Sequence, residues 1–255
     1  MIFVLVHGAF QGGWCWKRVR KLLADGGHEV FTPSLTGLGE HSHLLSADIG
    51  LETHVRDVVN LLTFEDLRDV VLVGHSYGGT VVTGVCELAG SRVRRLVYLD
   101  ALIPSDGQNN FDLLDKSVAD LFRQTAMDGW RVEVPPDMLL PYLGINSPED
   151  CAWFEQRLKP QSLRTFEQTF RCSTGALEAT PKTFIQCTNP SSGSAYERAA
   201  AQAQTEGWAY FSLPTAHEPM WTMPRELADI LLQVARSDPL ISQPELLRTS
   251  PTWTS

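Results

Sequence analysis

The stretch "VVLVGHSYGG", Val70 to Gly79, decides how the rest of the chain is read. A run of branched apolar residues predicts a buried strand. It leads into Gly74-x-Ser76-x-Gly78 and then a segment of helical character from Tyr77 to Ala89. A strand that turns abruptly into a helix forces the residue at the turn into a strained conformation, and flanking glycines leave room for neighbouring backbone. Ser76 is therefore predicted to lift its hydroxyl above the carboxyl edge of a sheet as a nucleophile. A tight glycine turn with an incidental serine is the competing reading, and the strand before and helix after argue against it.

Outward from this turn, short runs rich in Val, Ile, Leu and Phe alternate with helix-period segments. That alternation marks a parallel sheet covered on both faces, so the predicted class is α/β with a mostly parallel sheet of about six strands. The predicted strands are Ile2 to Val6, Glu29 to Thr32, Asp69 to Val73, Val93 to Leu99, Lys182 to Cys187 and Ala209 to Leu213. Predicted helices run from Trp14 to Ala24, about Glu52 to Leu62, Tyr77 to Ala89, Ser194 to Gln204 and Pro224 to Ala235. The alternation stops between about Pro104 and Pro181, where aromatic residues sit in helix-like pieces broken by "EVPPDMLLP". The predicted organisation is a core of residues 1–103 and 182–236, a cap insertion of residues 104–181, and a Pro/Ser/Thr-rich tail, 237–255, loosely ordered or draped on the surface.

A length of 255 residues suits one large domain with an insertion, and 43% hydrophobic with 20% charged residues is ordinary for a globular protein. The net charge of -9 disfavours nucleic acid or an anionic membrane as partner, because either surface would repel it. No apolar run is long enough to span a membrane. Five scattered cysteines without a C-x-x-C pair fit reduced thiols, and "MIFVLV" shows no basic region of a signal peptide. A cytoplasmic location is expected.

A second motif, "VLVHGAFQGGW" from Val4 to Trp14, ends the first strand in His-Gly. Its next backbone N–H can point at the same spot as the N–H after Ser76, so Ala9 and Tyr77 are predicted oxyanion-hole donors. The serine also needs a base. Of seven histidines, His7 and His75 lie inside the motifs and are expected to shape turns, His28 begins a strand, and His54 sits on an amphipathic helix. His41 and His43, an i, i+2 pair in a loop, are expected to face solvent rather than hold a metal. His217, in "LPTAHEPMW", follows the last strand, where a loop can deliver an imidazole to Ser76.

Together the elbow, the His-Gly loop and the late histidine resemble the α/β-hydrolase superfamily. The segments "FVLVHGAFQGGWCW", "LTGLG", "LVGHSYGG" and "RLVYLDALIP" resemble the branch of plant methylesterases, hydroxynitrile lyases and related bacterial esterases. The resemblance runs from about Ile2 to Ala235, with the cap least alike. It implies an inserted helical cap and a catalytic acid after the penultimate strand, yet the loop there, "CTNPSSG", has no carboxylate. Some superfamily members, including a group of haloalkane dehalogenases, carry the acid one strand earlier. Asp100, at the end of "LVYLD", occupies that place and is the assigned acid, with Glu197 and Asp106 as lesser candidates and a strand-terminal cap as the bland reading of Asp100.

The resembling lyases carry Thr after the first-strand histidine and Lys after the catalytic one. This chain has Gly8 and Glu218 there, so a cation for departing cyanide is missing. The expected activity is hydrolysis of a small to medium hydrophobic or aromatic carboxylic ester through an acyl-enzyme. Phe10, Trp130, Trp153 and Trp221 are the predicted substrate-binding aromatics, with core packing as the alternative for each cap residue. No metal or organic cofactor is implied. The expected partner is a small-molecule ester, with homodimerisation left open. Two further readings stay open: a cofactor-independent lyase or oxygenase in which His217 and Asp100 act as base, and a ligand receptor with a vestigial hydrolase pocket.

Overall fold

A computed structural model of the chain describes residues 1–172, 175–189 and 193–237. The predicted tail, 237–255, thus lies outside the described residues from position 238 onward, as do residues 190–192 of the loop in which an acid was sought.

Four strands come first: β1 (Ile2–Val6), β2 (Glu29–Phe31), β3 (Val70–His75) and β4 (Val93–Leu99). Three short ones follow in the insertion, β5 (Ala126–Met127), β6 (Arg131–Val132) and β7 (Gln161–Ser162), and the sheet ends with β8 (Lys182–Cys187) and β9 (Ala209–Leu213). The six long-range strands form one sheet in the order β2-β1-β3-β4-β8-β9, and every pairing in it is parallel.

Side chains leave this sheet with period 2, as strand geometry requires. Val4, Val6, Leu72, Leu96 and Tyr98 enter one apolar layer, while Phe3, Leu5, Val73, Val97 and Leu99 enter the other. The first layer is closed by α2 (Leu51–Phe64), α3 (Gly78–Ala89) and the helix after β8; the second is closed by α1 (Lys17–Asp25) and the last helix. Both faces are dry because branched residues fill both registers. This is why the strands read as continuous hydrophobic runs.

Between β4 and β8 the chain forms the small helices α4 (Asn110–Leu113), α5 (Lys116–Gln124), α6 (Pro136–Leu143), α7 (Pro148–Glu155), α8 (Arg164–Glu167) and α9 (Ala176–Ala179). The antiparallel ribbon β5-β6-β7 lies among them. Its first turn uses Asp128 and Gly129, both at positive φ (55° and 77°), the pairing that a tight hairpin favours. After β8 come α10 (Ser194–Thr205), α11 (Pro219–Thr222) and α12 (Pro224–Arg236). Among the described residues no helix is long and apolar enough to cross a membrane.

The strand order places the working edge. From β1 the chain moves outward to β2, then returns across β1 to β3 and proceeds the other way. The connections after β1 and β3 therefore diverge, and a crevice opens between them at the carboxyl ends. Ser76 and the loop Gly8–Phe10 both lie there.

Candidate active site

Ser76 follows the last residue of β3 and has φ of 54°, a left-handed conformation unusual for a side-chain-bearing residue. Its neighbours make this fold possible. A Cβ on Gly74 would stand 2.5 Å from the carbonyl oxygen of Gly78 and 2.5 Å from Val82 Cγ2, and one on Gly78 would stand 2.7 Å from the carbonyl of His7. Neither position tolerates a side chain, so the G-x-S-x-G spacing is dictated by backbone packed against backbone. The strained serine is held by its own main chain: its N–H donates to Leu99 O (3.2 Å), and its carbonyl accepts from Gly79 and Leu102.

The β1 loop closes on it from one side. Gly8 lies so near that a Cβ would sit 3.1 Å from Ser76 Cβ. Phe10 has φ of 66°, and the cap clamps it: its N–H donates to Gln161 Oε1 (3.0 Å) and its carbonyl accepts from the Lys159 N–H (2.9 Å). Among the described residues neither the Ala9 nor the Tyr77 N–H finds an acceptor, and both residues line the same cavity as Ser76. Two unused amides beside a serine hydroxyl are the kind of donors an oxyanion site requires. Tyr77 is fixed from behind by His54, whose Nδ1 accepts from the tyrosine hydroxyl (2.8 Å) while Nε2–H donates to Thr36 O (2.9 Å).

His217 arrives from the loop after β9. Its Nδ1–H donates to Asp100 Oδ2 at 2.6 Å, with both side chains almost wholly buried. Asp100 directly follows β4, has φ of 41° and is fully buried. Its Oδ1 accepts the N–H of Cys187 (3.1 Å), the last residue of β8. The strand that in the resembling branch precedes the acid here supplies an amide that holds an acid from the strand beside it. Glu197 lies exposed on α10, and Asp106 is spent on the N–H of Cys172 (2.9 Å), so among the described residues Asp100 is the carboxylate on His217. His75, held well below the usual histidine range by burial, stays neutral and donates from Nε2 to the carbonyl of His217 (2.7 Å).

His217 Nε2 has no hydrogen-bond partner among the described residues. The hydroxyl of Ser76 instead meets that of Tyr196 at 3.1 Å. The rings of Tyr142 and Tyr196 rest on the imidazole, with centroids 4.8 and 4.5 Å away. These two tyrosines were not singled out from the sequence. A tyrosine in a cap helix and another in the first turn of a helix carry no motif; only the fold brings them to the serine.

Ser76, His217 and Tyr196 line a cavity of about 230 Å³. Its walls are mainly apolar and come from β1 and the cap: Phe10, Phe122, Val134, Leu139 and Phe166. The expectation for the tryptophans differs from their placement. Trp130, Trp153 and Trp221 do not line this cavity. Trp153 and Trp221 stack on each other (centroids 4.6 Å apart), Trp14 and Phe154 pack edge-on against them, and Arg18 lies over Trp221 at 3.6 Å. Large flat rings near an active-site loop found more apolar surface in one another than in an open pocket. Trp130 follows the β5-β6 turn, its carbonyl accepting from Leu163 N–H at 2.6 Å.

The remaining histidines have structural partners. His7 donates from Nδ1 to Gly8 O and accepts at Nε2 from Leu35 N–H, while the exposed His41 and His43 bond to backbone carbonyls of Ser34 and Glu40.

A parallel sheet with a left-handed serine at its switch point, beneath an inserted cap, defines a protein of the nucleophile-elbow class. The sequence profile of the alpha/beta hydrolase family matches residues 3–230, and the chain belongs to that family. It is similar to a carbendazim hydrolyzing esterase of Nocardioides sp. (strain SG-4G), 35% identical over 239 residues that cover 90% of this chain and 97% of that protein. Methylesterase 1 of Arabidopsis thaliana is 27% identical over 258 residues, covering 91% and 95%. Among solved structures, a pyrethroid hydrolase from Sphingobium faniae JZ-2 superposes with a TM-score of 0.73 at 26% identity, covering 92% of this chain and 97% of that one. The chain is an enzyme, and hydrolysis of carboxylic esters is the reaction class its relatives support.

Proposed function

We propose that the chain hydrolyses small to medium hydrophobic or aromatic esters through a serine acyl-enzyme. The observation that carries this reading is the 2.6 Å His217–Asp100 bond, which leaves Nε2 unpartnered in the cavity where a left-handed Ser76 sits. Asp100 fixes the tautomer in which Nδ1 holds the proton and Nε2 is free to accept one. Rotation of the Ser76 hydroxyl from Tyr196 toward Nε2 lets His217 take its proton as Oγ bonds to the acyl carbon. The carbonyl oxygen gains charge and is met by the Ala9 and Tyr77 N–H groups, each such donor being worth roughly 10²–10³ in rate. Collapse breaks the bond to the alcohol, which leaves with the proton from Nε2. Water repeats the sequence to release the acid.

The apolar walls suit an aromatic or branched group better than a charged one. Names among the relatives, a pyrethroid hydrolase and a carbendazim hydrolyzing esterase, agree with that preference. A cytosolic setting belongs to the same reading and is supported by five free cysteines.

With p-nitrophenyl acetate and butyrate the enzyme is expected to show a burst of nitrophenol and stoichiometric labelling of Ser76 by a fluorophosphonate, and Ser76→Ala to lose at least about 10³-fold in kcat. The bond between Ser76 and Tyr196, rather than His217, favours one second reading, in which the His217–Asp100 pair acts directly on a substrate proton. Turnover that survives Ser76→Ala would select it.

A further inference from the structure

We propose that Tyr196, oriented by Tyr142, is a catalytic hydrogen-bond donor to the leaving alcohol oxygen, set on the opposite flank of Ser76 from the oxyanion amides. This rests on the serine acyl-enzyme reading above and deepens it.

Three observations converge. Tyr196 touches a reacting atom, its hydroxyl lying 3.1 Å from Ser76 Oγ, and it is 5% exposed. Its hydroxyl also interacts with that of Tyr142, which lines the same cavity, so the pair leads to the nucleophile. Both rings pack on His217, the group that must protonate the alcohol. A tyrosine placed only for packing would have no reason to point its oxygen at the serine.

Topology gives the direction. In the sheet, β1 lies on one side of β3, while β4, β8 and β9 lie on the other. The Ala9 loop follows β1, whereas Tyr196 on α10 follows β8 and His217 follows β9. The carbonyl oxygen is drawn toward the β1 flank, and the bond to be broken faces the β8–β9 flank. When Ser76 Oγ turns to His217 Nε2 and bonds to the acyl carbon, the Tyr196 hydroxyl loses its resting partner beside the oxygen about to depart.

The step balances without Tyr196 giving up its proton. Oγ–C forms, C–O of the ester breaks, and one proton passes from Oγ through Nε2 to the leaving oxygen. Tyr196 donates a hydrogen bond while charge gathers there, and Tyr142 donates to Tyr196 in turn. Burial raises Tyr196 to about 12 and Tyr142 well above its usual value, so both remain O–H donors at working pH.

The test compares leaving groups. A donor to the departing oxygen matters most where that oxygen carries most charge, in alkyl esters, and least for p-nitrophenolate, which is stable by itself. Tyr196→Phe keeps the ring against His217 and removes only the hydroxyl. It is expected to lower kcat/KM for ethyl butyrate by about 10–30-fold and for p-nitrophenyl butyrate by no more than about 3-fold, in line with a hydrogen bond to a charging atom. Tyr142→Phe is expected to move the same ratio in the same direction by a smaller factor, a change that mere packing would not produce. Equal losses on both esters, or no loss on either, would overturn the inference. Fluorophosphonate labelling separates the two levels: label on Ser76 with an unchanged ester ratio defeats the role of Tyr196 alone, whereas an unlabelled wild-type serine defeats the acyl-enzyme beneath it.

Discussion

Asp100 shows how one residue can satisfy several constraints. Its φ of 41° is a conformation that Asp and Asn tolerate better than most residues. One carboxylate oxygen is taken by the Cys187 amide and the other by His217. Asparagine at this position can keep the backbone angle and the bond from Cys187, which leaves its NH₂ facing Nδ1. The imidazole must then accept at Nδ1 and carry its proton on Nε2, the wrong tautomer to receive one from Ser76. Asp100→Asn is therefore expected to fold normally and lose about 10⁴-fold in kcat, as misoriented triads do, while Glu197→Gln on the exposed face of α10 stays within about twofold of wild type. Steady-state kinetics on p-nitrophenyl butyrate with a matched thermal melt checks both. Ser76 and His217 were legible because a strand-turn-helix and a late histidine leave marks in sequence. Asp100 required two readings together, an empty loop after Lys182–Cys187 and an acid at the end of the strand before it. Tyr196 left no mark at all, since its partner lies 120 positions away in the chain.

Elements were read more reliably than their contacts. Strands β1, β4, β8 and β9 lie where alternation and turn residues put them, because buried parallel strands need branched residues on both faces. The first helix departs in detail, with a 3₁₀ turn at Gly13–Trp16 before α1 (Lys17–Asp25), and β3 continues to His75. The cap differs in a more consequential way. Its aromatic residues divide between a cavity wall and a separate cluster, and a sequence offers no way to tell Phe122 from Trp153 in this respect. That division makes a prediction about α7 and the core segments it meets. Trp153→Ala removes a stacked partner of Trp221 and an edge contact to Trp14, so it should cost about 2–3 kcal/mol, read as a Tm lowered by roughly 4–10 °C. The ratio of kcat/KM for p-nitrophenyl octanoate to that for butyrate should not move. Phe122→Ala, which enlarges the cavity itself, should raise that ratio by about threefold or more. A shift in chain-length preference from Trp153→Ala would return that tryptophan to the substrate site.

At the scale of the whole molecule, the pH dependence of stability follows from what the fold has buried. His7, His54 and His75 are enclosed and neutral; desolvation lowers His7 to about 4, His54 to about 3 and His75 well below its usual value. Glu218, next to His217 in the chain, is fully buried; only its Oε2 accepts a hydrogen bond, from Gln11 Nε2 at 2.7 Å, and Oε1 has no partner among the described residues. Burial raises it to about 8. For the histidines the folded value is depressed, so their contribution is complete above the unfolded value of about 6.5 and is lost as pH falls below it. For Glu218 the folded value is elevated. Above the unfolded value of about 4.3 the unfolded chain has released a proton that the folded chain still holds, and stability declines with rising pH until about 8. Below pH 6.5 three histidines outweigh one glutamate. Between 6.5 and 8 Glu218 costs up to about 1.4 kcal/mol per pH unit, while the unfolded chain's three histidines, still half protonated at 6.5, give back roughly 1 kcal/mol as they lose their protons, so only a small net loss remains. Maximum stability is thus expected near pH 7, with buried Cys15 and Cys187, both raised by desolvation, extending the decline above the unfolded thiol value of about 8.5. Urea unfolding at pH 6.5 and pH 8 measures the difference directly. Glu218→Gln resembles the protonated acid and can still accept from Gln11, so this variant should keep only the histidine contribution and gain roughly 1 kcal/mol over the same interval, where the wild type loses a little. A wild type whose unfolding free energy changes in parallel with that of the variant between the two pH values would mean that Glu218 is already ionised in the folded core.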